Sequence, residues 1–273
     1  MGKRGDARFR WEARLPAVVQ THDLAFRGDS VVKRYASWDR GEHRREWAAL
    51  GDIQQHGGVL APCPVEARLD DRPPTVTMSR VPGDPLTDQP TEVQLAGVVD
   101  AVTRLWAVPP RGLAELGPWS DDLDFARRFT GAPRPTGRVA ARAYDAAQLW
   151  WRTEDPALLR RRPATLVLGH RDPNFANYLW DGRQVWIVDF EDAAVSDPAT
   201  ELAIMSEHLS WRGIDADDLC RRFDVDQARL LAARRLWAMF WLWLLRPDGS
   251  SVRRNPPGTA DRQAQRLLDL LDR

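Results

Sequence analysis

Residues 166–203 read LVLGHRDPNFANYLWDGRQVWIVDFEDAAVSDPATELA. Within them, His170, Asp172, Asn177 and Asp189 stand on two loops joined by a pair of short apolar runs, YLW and VWIVDF. The Asp181-Gly182 pair between the runs predicts a tight hairpin, which brings Asn177 and Asp189 face to face. A carboxylate, then an amide five residues on, then a second carboxylate at the next strand end is a set suited to phosphoryl transfer. That chemistry needs an attacking hydroxyl aimed and relieved of its proton, and phosphate charge neutralised by Mg²⁺. Asp172 is placed for the hydroxyl; Asn177 and Asp189 are placed for the metal.

Working outward, the basic residues give an independent signal. Of the 39, only Lys3 and Lys33 are lysine. Lys33 lies in the alternating run SVVKRY, where a compact ammonium can reach nucleotide phosphates that a planar guanidinium serves poorly. Thirteen residues on, Glu46 lies in the helical pattern HRREWAALGDIQQ, ready to hold the lysine.

The chain has 273 residues and a formal net charge of zero, so no global charge points to nucleic acid or an anionic membrane. MGKRGDARFR lacks an apolar signal core, and the longest apolar run, Leu236–Leu245, is half a membrane span and reads as a buried helix. Cys63 and Cys220 lack metal spacing and read as buried thiols. The expectation is a cytoplasmic protein, acting as a monomer or homodimer.

Alternation predicts strands around residues 15–21, 24–27, 30–35, 63–69 and 75–81, with a helix over 41–56. From Thr91 onward the pattern is helical: 91–108, 122–130, 138–152, 156–161, 198–210, 215–222, 226–246 and 258–272. The reading is an α+β chain with a five-stranded antiparallel β lobe carrying one helix and a larger, mainly α-helical lobe. Residues 1–80 form the β-rich nucleotide-binding lobe and 81–273 the catalytic and substrate-binding lobe, hinged near 78–84. A cleft between the two is the expected nucleotide site.

These motifs together resemble the aminoglycoside phosphotransferase and choline kinase-like superfamily, with its protein kinase-like bilobal fold. Family members carry His-Gly-Asp, Asn five after the Asp, Asp in an Ile-Asp-Trp or Ile-Asp-Phe-Glu strand end, then Asp-Pro and Asp-Leu-Ala. This chain has His-Arg-Asp, Asn177, Val-Asp-Phe-Glu, Asp197-Pro198 and Glu201-Leu202-Ala203. The resemblance implies that Asp172 is the catalytic base, that Asn177 and Asp189 bind Mg²⁺, and that ATP or GTP donates the phosphate. It also implies that the backbone of Ser79 and Val81, in Met78–Gly83, reads the adenine edge. LWAVP at 105–109 is similar to the family's Leu-His-Ala-Val-Pro helix end.

Three positions depart from the family pattern. Arg171 replaces Gly, as in protein kinases, where such an arginine engages a phosphorylated segment. Seven residues between Asp189 and Asp197 leave no room for one, so Arg171 is expected to pair with a nearby carboxylate. The turn that would cover phosphate, Thr21-His22-Asp23, lacks the glycine that close backbone approach favours. Glu191 follows Asp189, either reaching the metal through water or only orienting the strand end.

The expected activity is transfer of a nucleotide γ-phosphate to a hydroxyl of an aminoglycoside-like antibiotic or related metabolite. Alternatives are a metabolic kinase for choline, an amino alcohol or a sugar, and a catalytically silent nucleotide-binding protein. A metal hydrolase is disfavoured because the five histidines lack ligand spacing. His170 reads as a loop brace and Asp197 as a helix cap. The five aspartates of residues 214–226 either greet a cationic substrate or cap helices and form a solvated face. Trp150 and Trp151 point different ways, and either could line the cleft.

Overall fold

The computed structural model describes residues 22–87, 89–117 and 122–273. Four short strands, β1 (Asp23–Arg27), β2 (Ser30–Arg34), β3 (Pro64–Arg68) and β4 (Thr75–Ser79), form an antiparallel sheet in the order β1-β2-β4-β3. Gly28, at φ +58°, turns the chain between β1 and β2. The strand expected around residues 15–21 lies outside the described residues, so the described sheet has four strands rather than five. Pairing in β2 sets Lys33 opposite Leu24 on one side and Val76 on the other. The two-residue period puts Val31, Lys33 and Tyr35 on one face, and Lys33 and Tyr35 are buried there.

Helix α1 (Glu42–His56) packs on that face. Its buried positions include Glu46, Leu50 and Ile53, the i, i+4, i+7 stripe of an amphipathic helix. Glu46 sits on the apolar stripe, and this carries a carboxylate inward.

Past β4, a short strand β5 (Asp84–Pro85) leads into the helical part. Gly83 precedes it at φ +103°, where a Cβ would stand 2.7 Å from the Trp180 carbonyl carbon. Only glycine permits that approach. Helix α2 (Glu92–Trp106) opens with a capping box, Gln94 N–H donating to Thr91 Oγ1 and Thr91 N–H to Gln94 Oε1. Helices α3 (Arg111–Glu115), α4 (Leu123–Thr130), α5 (Arg138–Trp150) and α6 (Asp155–Arg160) follow. At five residues, α3 is too short to show a helical period in the sequence.

Strand β6 (Val167–Gly169) enters the motif region and pairs with β9 (Ala194–Ser196). Between them, β7 (Tyr178–Trp180) and β8 (Val185–Ile187) form the expected hairpin, and β5 extends it. Its turn spans four residues, Asp181–Gln184, rather than the Asp-Gly pair alone. Asp181 Oδ1 accepts from the Arg183 and Gln184 N–H groups, an Asx-type closure that lengthens the loop.

Helices α7 (Pro198–Glu207), α8 (Ala216–Arg221), α9 (Gln227–Leu244) and α10 (Thr259–Leu271) complete the chain. The helix expected over 198–210 breaks at His208, followed by a 3₁₀ turn, Leu209–Trp211. Helix α9 is packed by α4, α6, α7 and α10, which explains its apolar run. Among the described residues no helix is long and apolar enough to cross a membrane. One cluster of buried side chains runs from Tyr35 and Val76 in the sheet through Val102 and Ile187 to Leu267. Cys220 is buried as expected, whereas Cys63 is exposed on the strand β3 approach.

Candidate active site

Lys33 is the centre of the site's charge. Its Nζ lies 2.8 Å from Glu46 Oε2, 2.5 Å from Asp189 Oδ1 and 2.7 Å from Glu191 Oε2, one carboxylate for each of its three protons. Burial alone would push this ammonium's pKa down, but Glu46, Asp189 and the other nearby groups outweigh it and raise the pKa well above its ordinary value. Glu46 is braced further: Tyr35 Oη–H donates to Oε2 and the Phe190 N–H to Oε1 at 3.3 Å. Burial pushes Glu191 up, but the His22 and Lys33 contacts override it and hold the carboxyl at about 2.

The structure adds His22 to this cluster. The Ala36 N–H donates to His22 Nδ1 at 3.1 Å, so the ring hydrogen sits on Nε2, 2.9 Å from Glu191 Oε2. Of the glycine-free turn, Thr21 lies outside the described residues, while His22 is buried against this carboxylate.

The loop that carries Asp172 is held from three directions. His170 Nε2 is 2.8 Å from the Val188 carbonyl, and its Nδ1 accepts from the Asp172 N–H at 3.3 Å, so the ring braces one loop against the other. Gly169 lies so close to α7 that a Cβ there would stand 2.4 Å from Glu201 Oε1, and Glu201 Oε2 accepts the Arg171 N–H at 3.2 Å. Arg171 adopts φ +66°, a left-handed conformation that suits glycine and strains other residues. Its guanidinium pairs with Asp122 and stacks over Trp237, the carboxylate pairing expected for it.

Asp172 projects from this loop with its side chain 37% exposed. Burial of its surroundings, followed by repulsion from Asp189 and Asp192, outweighs His170 and lifts its pKa to about 6. Asn177 Nδ2 donates to Asp172 Oδ2 and to the Asp172 carbonyl, each at 3.0 Å. The Val188 N–H donates to the Asn177 carbonyl at 3.0 Å, so residues 177 and 189 leave the same end of the hairpin. Asp189 sits at φ +68°, a second left-handed non-glycine residue.

Glu46, Asp189 and Glu191 offer three ligand oxygens within 4.8 Å of one another. The Lys33 ammonium already bridges these three, so the trio is first an ammonium cradle. Asn177 Oδ1 and Asp189 Oδ2 enter none of the bonds above, and Asp189 is 35% exposed. These are hard oxygen donors beside surplus negative charge, a set that fits Mg²⁺.

The other expected positions divide. Ser79 N–H is spent on the Cys63 carbonyl at 2.8 Å, and Ser79 Oγ accepts from the Cys63 N–H. The Val81 N–H makes no hydrogen bond among the described residues. Asp197 caps α7 through the Ala199 and Thr200 N–H groups and pairs with Arg229. In the 214–226 run, Asp215 and Asp226 cap helices while Asp217 and Asp218 pair with arginines, so these four are committed to structure. Trp150 and Trp151 pack edge to face, and their indole N–H groups donate to Asp155 and Thr130. His22, Tyr35, Asp122 and His208 have no motif to announce them.

The model of the phosphotransferase enzyme family (APH) matches residues 10–240. No curated protein matches the sequence. Among solved structures, a choline/ethanolamine kinase family protein from Mesorhizobium loti is similar over 95% of this chain and 87% of its own, at 17% identity and TM-score 0.64. Choline kinase LicA from Streptococcus pneumoniae is similar over 94% and 92%, at 12% identity and TM-score 0.61. A thermostable mutant of aminoglycoside phosphotransferase APH(4)-Ia, in a ternary complex with AMP-PNP and hygromycin B, is similar over 93% and 94%, at 17% identity and TM-score 0.63. These likenesses establish the α+β, protein kinase-like fold. With the fold and the family model in agreement, the chain belongs to the phosphotransferase enzyme family.

Proposed function

We propose that the protein transfers the γ-phosphate of a nucleoside triphosphate, ATP or alternatively GTP, to a hydroxyl of an aminoglycoside-like antibiotic or related metabolite. The observation that carries this reading is the Lys33 ammonium held between Glu46 and Asp189, beside the loop bearing Asp172 and Asn177. In this reading residues 1–80 supply the nucleotide lobe and 81–273 the catalytic and acceptor lobe. The Val81 N–H, which makes no hydrogen bond among the described residues, is the donor for the base edge; at Ser79 the carbonyl serves, since its N–H is committed.

Asp172 aims the acceptor hydroxyl and takes its proton as the new O–P bond forms and the β–γ bridge breaks. Lys33 contacts the phosphates, which requires a carboxylate now bonded to it to yield. Asn177 Oδ1 and Asp189 would hold Mg²⁺, which supplies charge neutralisation on the phosphate oxygens when bound. Fixed groups in a partly closed cleft lower the barrier chiefly by position and charge, so a weak carboxylate base suffices. The neighbour crystallised with AMP-PNP and hygromycin B supports the same pairing of nucleotide with hydroxylated acceptor.

The test is Mg²⁺-dependent nucleotide consumption against a panel of hydroxylated antibiotics, choline-like alcohols and sugars, with Asp172→Asn alongside. Acceptor-dependent turnover lost in Asp172→Asn is expected. Turnover that survives the substitution would overturn the base assignment, and turnover confined to choline-like alcohols or sugars would replace the antibiotic acceptor.

A further inference from the structure

Helix α7 ends at His208, whose N–H still bonds to the Ile204 carbonyl at 3.0 Å. Its imidazole is buried, with Trp241 packed edge-on at 4.9 Å between ring centroids. Nδ1 lies 2.8 Å from Ser210 Oγ and takes the Ser210 N–H at 3.2 Å; as the acceptor of that backbone N–H it leaves the ring hydrogen on Nε2, with the Ser210 hydroxyl donating. That nitrogen faces Asp172 Oδ1 at 3.8 Å. Burial, reinforced by Arg212, drives the imidazole's pKa down to about 3, so the group facing Asp172 is a neutral N–H donor. From the same turn, Trp211 Nε1–H donates to the Pro173 carbonyl at 2.6 Å, so the 208–211 turn is tied to the loop that carries Asp172.

We propose that His208 is a positioning residue for Asp172, its Nε2–H closing onto Oδ1 when the acceptor enters. The inference rests on the reading of Asp172 as the base. Asn177 already holds the other oxygen, Oδ2, at 3.0 Å. A carboxylate gripped at one oxygen can still rotate about its last side-chain bond; gripped at both, its plane is fixed and the remaining lone pairs face the acceptor hydroxyl. A separation of 3.8 Å exceeds a hydrogen bond, and such contacts tighten on forming the reactive complex.

Two variants separate this role from a structural one. In His208→Asn the shorter amide takes the place of Nδ1 and keeps the Ser210 contact while losing the Nε2 donor. In His208→Gln the longer amide takes the place of Nε2 and restores it. A hydrogen bond to a charged group sets the scale, so His208→Asn should lower kcat about tenfold to a hundredfold, with nucleotide KM and melting temperature near wild type. His208→Gln should recover most of the loss. Wild-type kcat in His208→Asn, or His208→Gln as slow as His208→Asn, would overturn the proposal. An active Asp172→Asn would instead defeat the base assignment.

A readout independent of turnover is the ¹⁵N NMR signature of the His208 ring. The Nε2–H tautomer with a shift that responds to Asp172→Asn is expected. The Nδ1–H tautomer, or no response, would overturn the proposal.

Discussion

Lys33 and Asp189, 156 residues apart in sequence, meet at 2.5 Å, so a strand of the β lobe and the end of the hairpin are joined by one charge-assisted bond. Glu46 and Glu191 complete the shell, and the single internal lysine neutralises only part of the charge gathered there. The same ammonium that we propose for nucleotide engagement therefore also bridges three carboxylates of the folded chain.

Replacing Lys33 with Met should therefore be costly twice. Leaving three carboxylates without their cation should destabilise the fold by about 3 kcal/mol or more, as for the breaking of other buried ion pairs. Thermal or urea unfolding checks this, and Lys33→Arg should fall short of rescue because a planar guanidinium does not fit a cradle built for three N–H bonds from one point. Equal stability of Lys33→Met and wild type would show that the cradle contributes nothing to folding.

Gly169→Ala should strain the seam between the Asp172 loop and α7. The added methyl would meet Glu201 Oε1 at 2.4 Å and Ser196 Cβ at 2.6 Å, and Glu201 is the group that receives the Arg171 N–H. Overpacking of this kind costs about 1–3 kcal/mol. A lowered melting temperature together with reduced turnover is expected; a variant unchanged in both would mean that the loop and helix can separate freely.

Arg171→Gly sets two effects against each other. Glycine relieves the left-handed backbone, worth about 1 kcal/mol, but strands Asp122 without its guanidinium. The loss should win, and adding Asp122→Asn should recover part of it. A double-mutant unfolding cycle measures the coupling, and strict additivity would show that the ion pair contributes nothing.

Stability should fall in acid partly through His208. Its folded-state pKa is about 3, below the ordinary histidine value, so protons bind the unfolded chain more tightly. The stabilising effect of the neutral ring is present above about pH 6.5 and is lost as pH falls toward 3, by about 2 kcal/mol between pH 7 and pH 5. Urea unfolding of wild type and His208→Gln across that range should show a shallower loss in the variant. Parallel pH curves would mean that the imidazole binds its proton equally in the folded and the unfolded chain.

Much of the chain was legible one segment at a time. Two-residue alternation set Val31, Lys33 and Tyr35 on one face, the i, i+4, i+7 stripe turned Glu46 inward, and the hairpin between Asn177 and Asp189 was signalled by Asp181-Gly182. These signals are local, because backbone geometry repeats over a few residues and fixes which side chains share a face.

Only the tertiary structure decided which charges meet. Periodicity could not say that Lys33 would take Glu191 as a third partner, that His22 would lie behind it, or that Arg171 would find Asp122, 49 residues earlier. Nor could it turn His208 toward Asp172 or commit four of the aspartates of residues 214–226 to caps and arginine pairs. Each of these is set by how helices and sheet dock, and docking is driven by non-directional burial of apolar surface. The polar partners are then whichever groups that burial brings within reach, under the requirement that buried charge be paired.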